Sequence, residues 1–401
     1  MRGLEKIPSV SLSHKKLEDG IMKRNCNIEL ARIIASFIVV CLHTMTWYKT
    51  NEGYLINSLL IRCFFFDGVP LFWYIMGYYL FINPKITFRR RLGRTFKVLL
   101  LPAFCVMLFS QIWQDWILSD IGQVSFFSCL NLHSLDFHNL ISNILQWDSG
   151  MTFGGHFWYV FSYLQVILWT PLLKYIFIDE DSANRCRHYL MLLSFLYVLN
   201  RDISNLFTIN IGGSTYTITV YSVISATLLY VFIGYETYLR REWFQKYAKV
   251  VRACGFGVFV IFNFIKFSLS EYFMRVGLSD SHSHFLGIGT LLTYLASYGL
   301  FVAILCLNIP KDTTREKLIL NIGRKTLGIY LIHGLVFRKI GAIGIRDMIY
   351  TPYLQLPNSL PVEIFCTLVY AIIVFSVCYF IVFAYDVIRR YLPGRKNLLV
   401  D

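Results

Sequence analysis

Residues 27–43 read Asn27-Ile-Glu-Leu-Ala-Arg-Ile-Ile-Ala-Ser-Phe-Ile-Val-Val-Cys-Leu-His43. The run is continuous rather than alternating, so it predicts a helix and not a strand of a membrane barrel. Similar runs recur along the chain and approach or exceed the ~20 residues a helix needs to cross hydrocarbon. Ten windows stand out, near 28–48, 57–82, 95–118, 156–178, 188–207, 216–239, 250–270, 285–308, 326–344 and 362–387. The expected fold is an all-α integral membrane protein of about ten transmembrane helices. Composition agrees. Of 401 residues, 56% are hydrophobic and 15% charged, against roughly a quarter charged in soluble domains. Mean hydropathy is +0.53. No linker, repeat or low-complexity tract sets off a soluble domain.

The net charge of +14 is spread over short clusters between the apolar runs, which excludes a nucleic-acid-binding face and points to topology. Arg2, Lys6, Lys15, Lys16, Lys23 and Arg24 precede the first run. Later clusters are Lys85 to Arg94, Arg240 to Arg252, Lys311 to Lys325, and Arg389 to Lys396. Alternate loops are nearly bare, and 119–155 holds no Lys or Arg. Both termini are therefore expected in the cytoplasm, as tails 1–27 and 388–401 flanking a membrane domain over 28–387. The loop 119–155, with His133, Asp136, His138 and Asp148, is expected outside, either merely solvated or binding. The polar, basic start predicts no cleaved signal peptide. The ten cysteines form no CxxC pair and read as small hydrophobes.

Ionisable groups inside such helices are costly, and function is the default reading for them. Arg32 and His43 are eleven residues apart, about three turns, so they share a helix face at roughly 16 Å axial separation. Glu29 precedes Arg32 by three and can pair with it; Ser36 lies on the same face. Position alone leaves two readings, a functional arginine–histidine pair or a helix-end ion pair with a hydrogen-bonded core histidine. In the second run, Arg62 and Asp67 are buried ionisables. Asp67 could orient His43 or pair with Arg62, while Gly68, Pro70 and Gly77 permit close helix approach or a kink. The cluster Phe88-Arg-Arg-Arg-Leu-Gly-Arg-Thr95 puts Arg91 and Arg94 at i and i+3 beside Arg90. Arginine forks bind phosphate, but by charge alone a topogenic cluster beside anionic headgroups is the better fit. Gly154-Gly-His-Phe-Trp-Tyr159 and Ile322-Gly-Arg-Lys-Thr-Leu-Gly-Ile-Tyr-Leu-Ile-His333 each place a histidine at or in the membrane. His282 and His284 with Asp280 do not make a metal site by themselves, and no metal is expected. There is no nucleophile elbow, P-loop or GxGxxG.

Together these strings resemble the acyltransferase-3 family of bacterial inner-membrane acyltransferases. The resemblance rests on Arg32-x10-His43 with Glu29 before it, Val69-Pro-Leu-Phe through Gly77-Tyr, and Arg91-x-x-Arg94. Gly155-His-Phe-Trp-Tyr159 with Thr170-Pro-Leu-Leu173, and Gly328-Ile-Tyr-Leu-Ile-His333, complete it. Trp73 and Met76 depart from the Phe and Ser that relatives often carry, and no appended esterase-like domain is expected. The resemblance implies transfer of an acyl group, usually acetyl, from cytoplasmic acetyl-CoA to a hydroxyl of a surface polysaccharide or its lipid-linked precursor. It implies that Arg91, Arg94 and Arg90 grip the donor's phosphates and that Arg32 and Glu29 stand beside the reacting thioester. His43 would be general base or transient acyl carrier. Asp67, His156, Trp158 and His333 are expected on the acceptor's side. The implied partners are the glycan or lipid-linked oligosaccharide and the bilayer, with no nucleic acid. Two rivals share the buried charges, a secondary transporter and a non-catalytic partner of polysaccharide export.

Overall fold

A computed structural model of the chain describes residues 24–45, 49–50, 53–54, 56–65, 67–82, 86–120, 123–128, 157–177, 180–206, 209–211, 214–216, 226–275, 287, 289–354 and 360–391. Helix α1 (Cys26–Thr44) leads to a short ladder of β1 (Lys49–Thr50) and β2 (Gly53–Tyr54), then to α2 (Ile56–Phe65) and α3 (Gly68–Leu80). Next come α4 (Phe88–Thr95), a π-helical stretch Phe96–Leu100, α5 (Leu101–Ile112) and α6 (Gln114–Leu118). Helices α7 (Trp158–Leu173) and α8 (Asp181–Leu206) precede a second ladder, β3 (Ile209–Ile211) with β4 (Ser214–Tyr216). Helices α9 (Ala226–Leu239), α10 (Arg241–Lys246), α11 (Ala248–Arg275) and α12 (Leu291–Leu305) follow. Last are α13 (Thr314–Gly323), α14 (Thr326–Ala342), α15 (Ile345–Leu354) and α16 (Leu360–Tyr391).

Each of the ten apolar windows contains a helix. Five stretches among the described residues are long and apolar enough to cross a membrane, Cys26–Thr44, Asn57–Leu80, Phe88–Ile112, Ala248–Phe273 and Leu360–Arg389. A sixth arises if Thr326–Ala342 and Ile345–Pro352, bent by 67°, count as one. Trp158–Leu173 and Leu291–Leu305 are apolar but short. At 1.5 Å per residue each spans under about 25 Å, less than the ~30 Å hydrocarbon core. Within the 216–239 window, Tyr216 belongs to β4 and Ala226–Leu239 is helical.

Helix α1 is central, packed against α3, α13, α14 and α16. Its Ile28, Ala31, Ala35 and Cys41 are fully buried. Where α3 crosses α9, each helix presents a glycine to the other's backbone. A Cβ on Gly77 would strike the Val231 carbonyl, and one on Gly234 the Tyr74 carbonyl. Gly255 and Gly299 make the same close approach between α11 and α12. In hydrocarbon, where apolar burial gives no advantage over lipid, such backbone proximity and van der Waals contact hold helices together.

Two ends of the bundle are distinct. At one, Asn27 Nδ2 donates to the carbonyls of Leu305 (2.7 Å) and Leu307 (2.9 Å), and Gly323 lies against Glu29. The starts of α1 and α4 and the ends of α9, α12 and α13, which carry the basic clusters, gather there. At the other, Tyr350 Oη donates to the Thr44 carbonyl (3.4 Å) and Ser58 hydrogen-bonds Glu363. Lys339 Nζ there donates to the carbonyls of Trp116 (2.7 Å) and Ser119 (2.8 Å), which satisfies the open end of α6.

Candidate active site

Helix α1 connects two sites that its sequence places about three turns apart. At its start, Arg32 Nη1 donates to Glu29 Oε1 at 2.9 Å, the i,i+3 pair expected from the sequence. Glu29 is 2% exposed, and Arg24 Nη1 lies 3.7 Å from the same oxygen. Glu29 Oε2 has no hydrogen-bond partner among the described residues. Gly323 is what allows α13 to come so near: a Cβ there would collide with the carboxylate. Partial burial holds the Arg24 guanidinium below its usual range; Glu29 opposes that shift, and Arg32, Arg324 and Arg94 add to it. Arg24 and Arg32 thus flank one carboxylate, and Arg94 and Arg324 are within electrostatic reach of Arg24. Such a surplus of guanidinium groups is suited to a polyanion.

The basic loop divides within this cluster. Arg90 and Arg94 are exposed, whereas Arg91 is half-buried. Arg91 Nη1 hydrogen-bonds the Leu80 carbonyl, and Nε donates to the Ile86 carbonyl at 3.3 Å. Its guanidinium also lies 5.8 Å from the Phe81 ring centroid. The i,i+3 spacing set Arg91 and Arg94 side by side as phosphate ligands, but the chain folds Arg91's fork onto the loop after α3. Arg94 and Arg324 are both within electrostatic reach of Arg24.

At the far end of α1, the His43 ring lies 5.1 Å from that of His333, centroid to centroid, at a tilt of 46°. His333 comes from α14 and is 1% exposed. Its Nδ1 is 2.6 Å from the Tyr330 carbonyl one turn earlier. The spacing within α14 explains this, since residues three apart share a face. Aromatic side chains span the distance between the two sites. Tyr163 is within electrostatic reach of Arg32, Arg94 and Arg91, and Tyr159 of Arg32. Tyr159 contacts Tyr163 (6.3 Å), Trp73 (4.6 Å), Phe72 (5.6 Å) and Tyr330 (5.5 Å), and Tyr330 contacts His333 (5.8 Å). The Trp73 ring nitrogen is buried without a hydrogen-bond partner among the described residues. Trp158 is half-buried and edge-on to Tyr159 at 6.4 Å. His156 lies outside the described residues, as do His133, Asp136, His138, Asp148, Asp280, His282 and His284.

Asp67 departs from both partners considered for it. Its Oδ1 accepts from Lys266 Nζ and its Oδ2 from Asn263 Nδ2, each at 2.8 Å. Lys266 Nζ also donates to the Cys63 carbonyl at 3.0 Å, and Asp67 and Lys266 are both fully buried. Asp67 stands at the start of α3, where the helix dipole favours a carboxylate, but its side chain reaches across to α11 instead of capping α3. Sequence reading missed Lys266, although a lysine inside an apolar window was itself the signal. It also missed Arg187, which donates to Glu236 Oε1 (2.7 Å), the Ile176 carbonyl (2.8 Å) and Asn184 Oδ1 (2.7 Å). No group of three or more His, Cys, Asp or Glu among the described residues could hold a metal.

Apolar helices of spanning length, with arginine, glutamate and histidine turned into the bundle, define a multi-pass membrane protein with a polar interior site. The chain belongs to the acyltransferase-3 family, whose acyltransferase domain matches residues 26–381. It is accordingly a membrane acyltransferase. Comparison with curated proteins and with solved structures gives no match.

Proposed function

We propose that this acyltransferase moves an acyl group, most simply acetyl, from cytoplasmic acetyl-CoA to a hydroxyl of a surface polysaccharide or its lipid-linked precursor, in the bacterial inner membrane. The observation that supports this is the separation of charge and base along α1, with the arginine cluster at one end, the His43–His333 pair at the other, and aromatic rings between. A donor with phosphates at one end and a thioester at the other of a long arm matches that arrangement. Arg24, Arg94 and Arg324 bind the phosphates, and Arg32, held by Glu29, extends the positive field inward. The apolar aromatic wall excludes water, which would otherwise hydrolyse the thioester. His43 takes the proton of the acceptor hydroxyl as its oxygen attacks the thioester carbonyl. The C–O bond forms, the C–S bond breaks, and the proton goes to the departing thiolate.

The test for the donor site uses lysine, which keeps the charge that membrane topology counts but loses the guanidinium fork. Arg94→Lys and Arg324→Lys are expected to insert normally and to raise the apparent KM for acetyl-CoA about ten- to hundredfold, with the acceptor KM unchanged. Arg91→Lys, whose contacts are to backbone carbonyls, is expected to shift donor KM less and to loosen the loop after α3. Transfer is measured in membranes over a range of acetyl-CoA concentrations. Wild-type donor dependence in both Arg94→Lys and Arg324→Lys would remove the donor site from this end.

The same reading requires the arginine end to face the cytoplasm. In a variant stripped of its native cysteines, a cysteine at position 90 is expected to resist membrane-impermeant maleimide in intact cells, and one at 135 to react. Labelling at 90 from outside would reverse the orientation, and with it the access of cytoplasmic donor.

A further inference from the structure

We infer that the Ser36 hydroxyl and the Trp73 indole N–H hold the amide-bearing arm of the acyl donor on its way from the arginine end to His43. This rests on the reading of that end as the donor's entrance. Both polar atoms are buried without a hydrogen-bond partner among the described residues, with Ser36 at 1% and Trp73 at 0% exposure. An unpaired buried donor carries its full cost of desolvation, so each needs a reason to be there.

Ser36 departs from what its setting dictates. A serine or threonine inside a buried helix commonly donates its hydroxyl to a carbonyl three or four residues back, the more so where no water is at hand. Thr44, Ser110, Thr237 and Ser297 all do so. Ser36 does not, which leaves its hydroxyl for a group from outside its own helix. Ser270 of α11 shares this trait but not the position. Ser36 lies on the face common to Arg32 and His43, about 6 Å beyond the first and about 10 Å short of the second by helical rise. Trp73 reaches the same stretch from α3, which runs antiparallel to α1. Gly68 lies against the Ala35 carbonyl and Ile38, and the Tyr79 ring is 5.8 Å from the Arg32 guanidinium. Trp73 falls between those two levels. Its ring packs on Tyr159 at 4.6 Å, and Tyr159 is within electrostatic reach of Arg32. A phenylalanine would build the same apolar wall with no N–H to satisfy.

The two groups suit a particular chemistry. Between its phosphates and its sulfur, coenzyme A carries a chain with amide carbonyls and amide N–H groups. An indole N–H can only donate, so it takes an amide carbonyl; a serine hydroxyl donates and accepts, so it takes either group. A hydrocarbon tail offers neither, and a phosphate is drawn to guanidinium instead. Two such bonds, placed past Arg32, fix the register of the arm and so the depth to which the thioester reaches along α1.

The experiment measures binding of free coenzyme A, and of adenosine 3′,5′-bisphosphate, which has phosphates but no arm. Both are titrated against detergent-purified wild type, Ser36→Ala and Trp73→Phe. Each variant is expected to weaken coenzyme A binding about three- to tenfold, the loss of one neutral hydrogen bond, with bisphosphate binding within about twofold of wild type. Ser36→Ala is also expected to melt at or above the wild-type temperature, because it deletes an unpaired hydroxyl and breaks no bond. Unchanged coenzyme A binding in either variant would overturn the assignment of that residue. An equal loss for both probes would overturn the inference by tracing the effect to a disturbed bundle. A Ser36→Ala protein that melts well below wild type would do the same, since the hydroxyl would then have a structural partner. Failure of the wild type to bind either probe is a separate result: it removes the donor site from the arginine end, and the seat for the arm with it.

Discussion

His43→Ala is expected to lower acyl transfer by about 10²–10⁴-fold while the protein still inserts and accumulates near the wild-type level. The loss falls on kcat, because the imidazole acts on the acceptor hydroxyl only as the C–O bond forms. His43 is in the last turn of α1, half-buried, so deleting its ring removes little of the packing that holds the bundle. The measurement is the acyl content of surface glycan in cells carrying each variant, with membrane insertion checked in parallel. A stably inserted variant with normal acyl content would return His43 to a structural role. Glu29→Gln is expected to be milder. The amide keeps one oxygen for Arg32 but drops the charge set against Arg32 and Arg24, so the effect appears in donor KM.

The largest expected loss of stability is at Lys266. Its ammonium and the Asp67 carboxylate are both fully buried and joined at 2.8 Å. Removing one partner strands the other charge inside the bundle, which typically costs about 3–5 kcal/mol, roughly two to four powers of ten in the folding equilibrium. Lys266→Met is therefore expected to reduce the amount of protein in the membrane and to lower its melting temperature in detergent. Adding Asp67→Asn removes the second charge and is expected to recover most of that loss, because a neutral pair has no ion to strand. A single variant as stable as wild type would mean that water or lipid headgroups reach Asp67 from the α2–α3 break. A double variant no better than the single would place the stability in the hydrogen bonds to Asn263 and the Cys63 carbonyl instead.

How much could be read beforehand differs between local and distant features. The Glu29–Arg32 pair and the shared face of Arg32 and His43 follow from helical periodicity, and α1 obeys it. The close approach permitted by Gly77 was also legible, but the partner it admits, Val231 of α9, was not. Asp67 illustrates the limit: composition marked it as a buried charge that must be paired, yet its partner is 199 residues away. Two candidates closer in sequence, Arg62 and His43, were the natural guesses. Arg91 shows a different limit. Its neighbours in sequence are correct, but a backbone turn supplies carbonyl acceptors that no count of charges reveals.

By itself the sequence determined that the chain is a helical membrane protein, because hydrocarbon demands internal backbone hydrogen bonds and apolar length, and both are properties of contiguous residues. It also determined the family, through short strings whose order is preserved, and the line along α1 on which the chemistry is placed. Tertiary structure alone decided that Gly323 of α13 lies against Glu29, where Asp67 finds its counter-ion, and that the His43 ring lies against that of His333. Those pairings depend on how helices distant in sequence cross. The crossings are set by where small residues let backbones approach and where a buried charge must find its opposite, conditions satisfied only when the whole bundle closes.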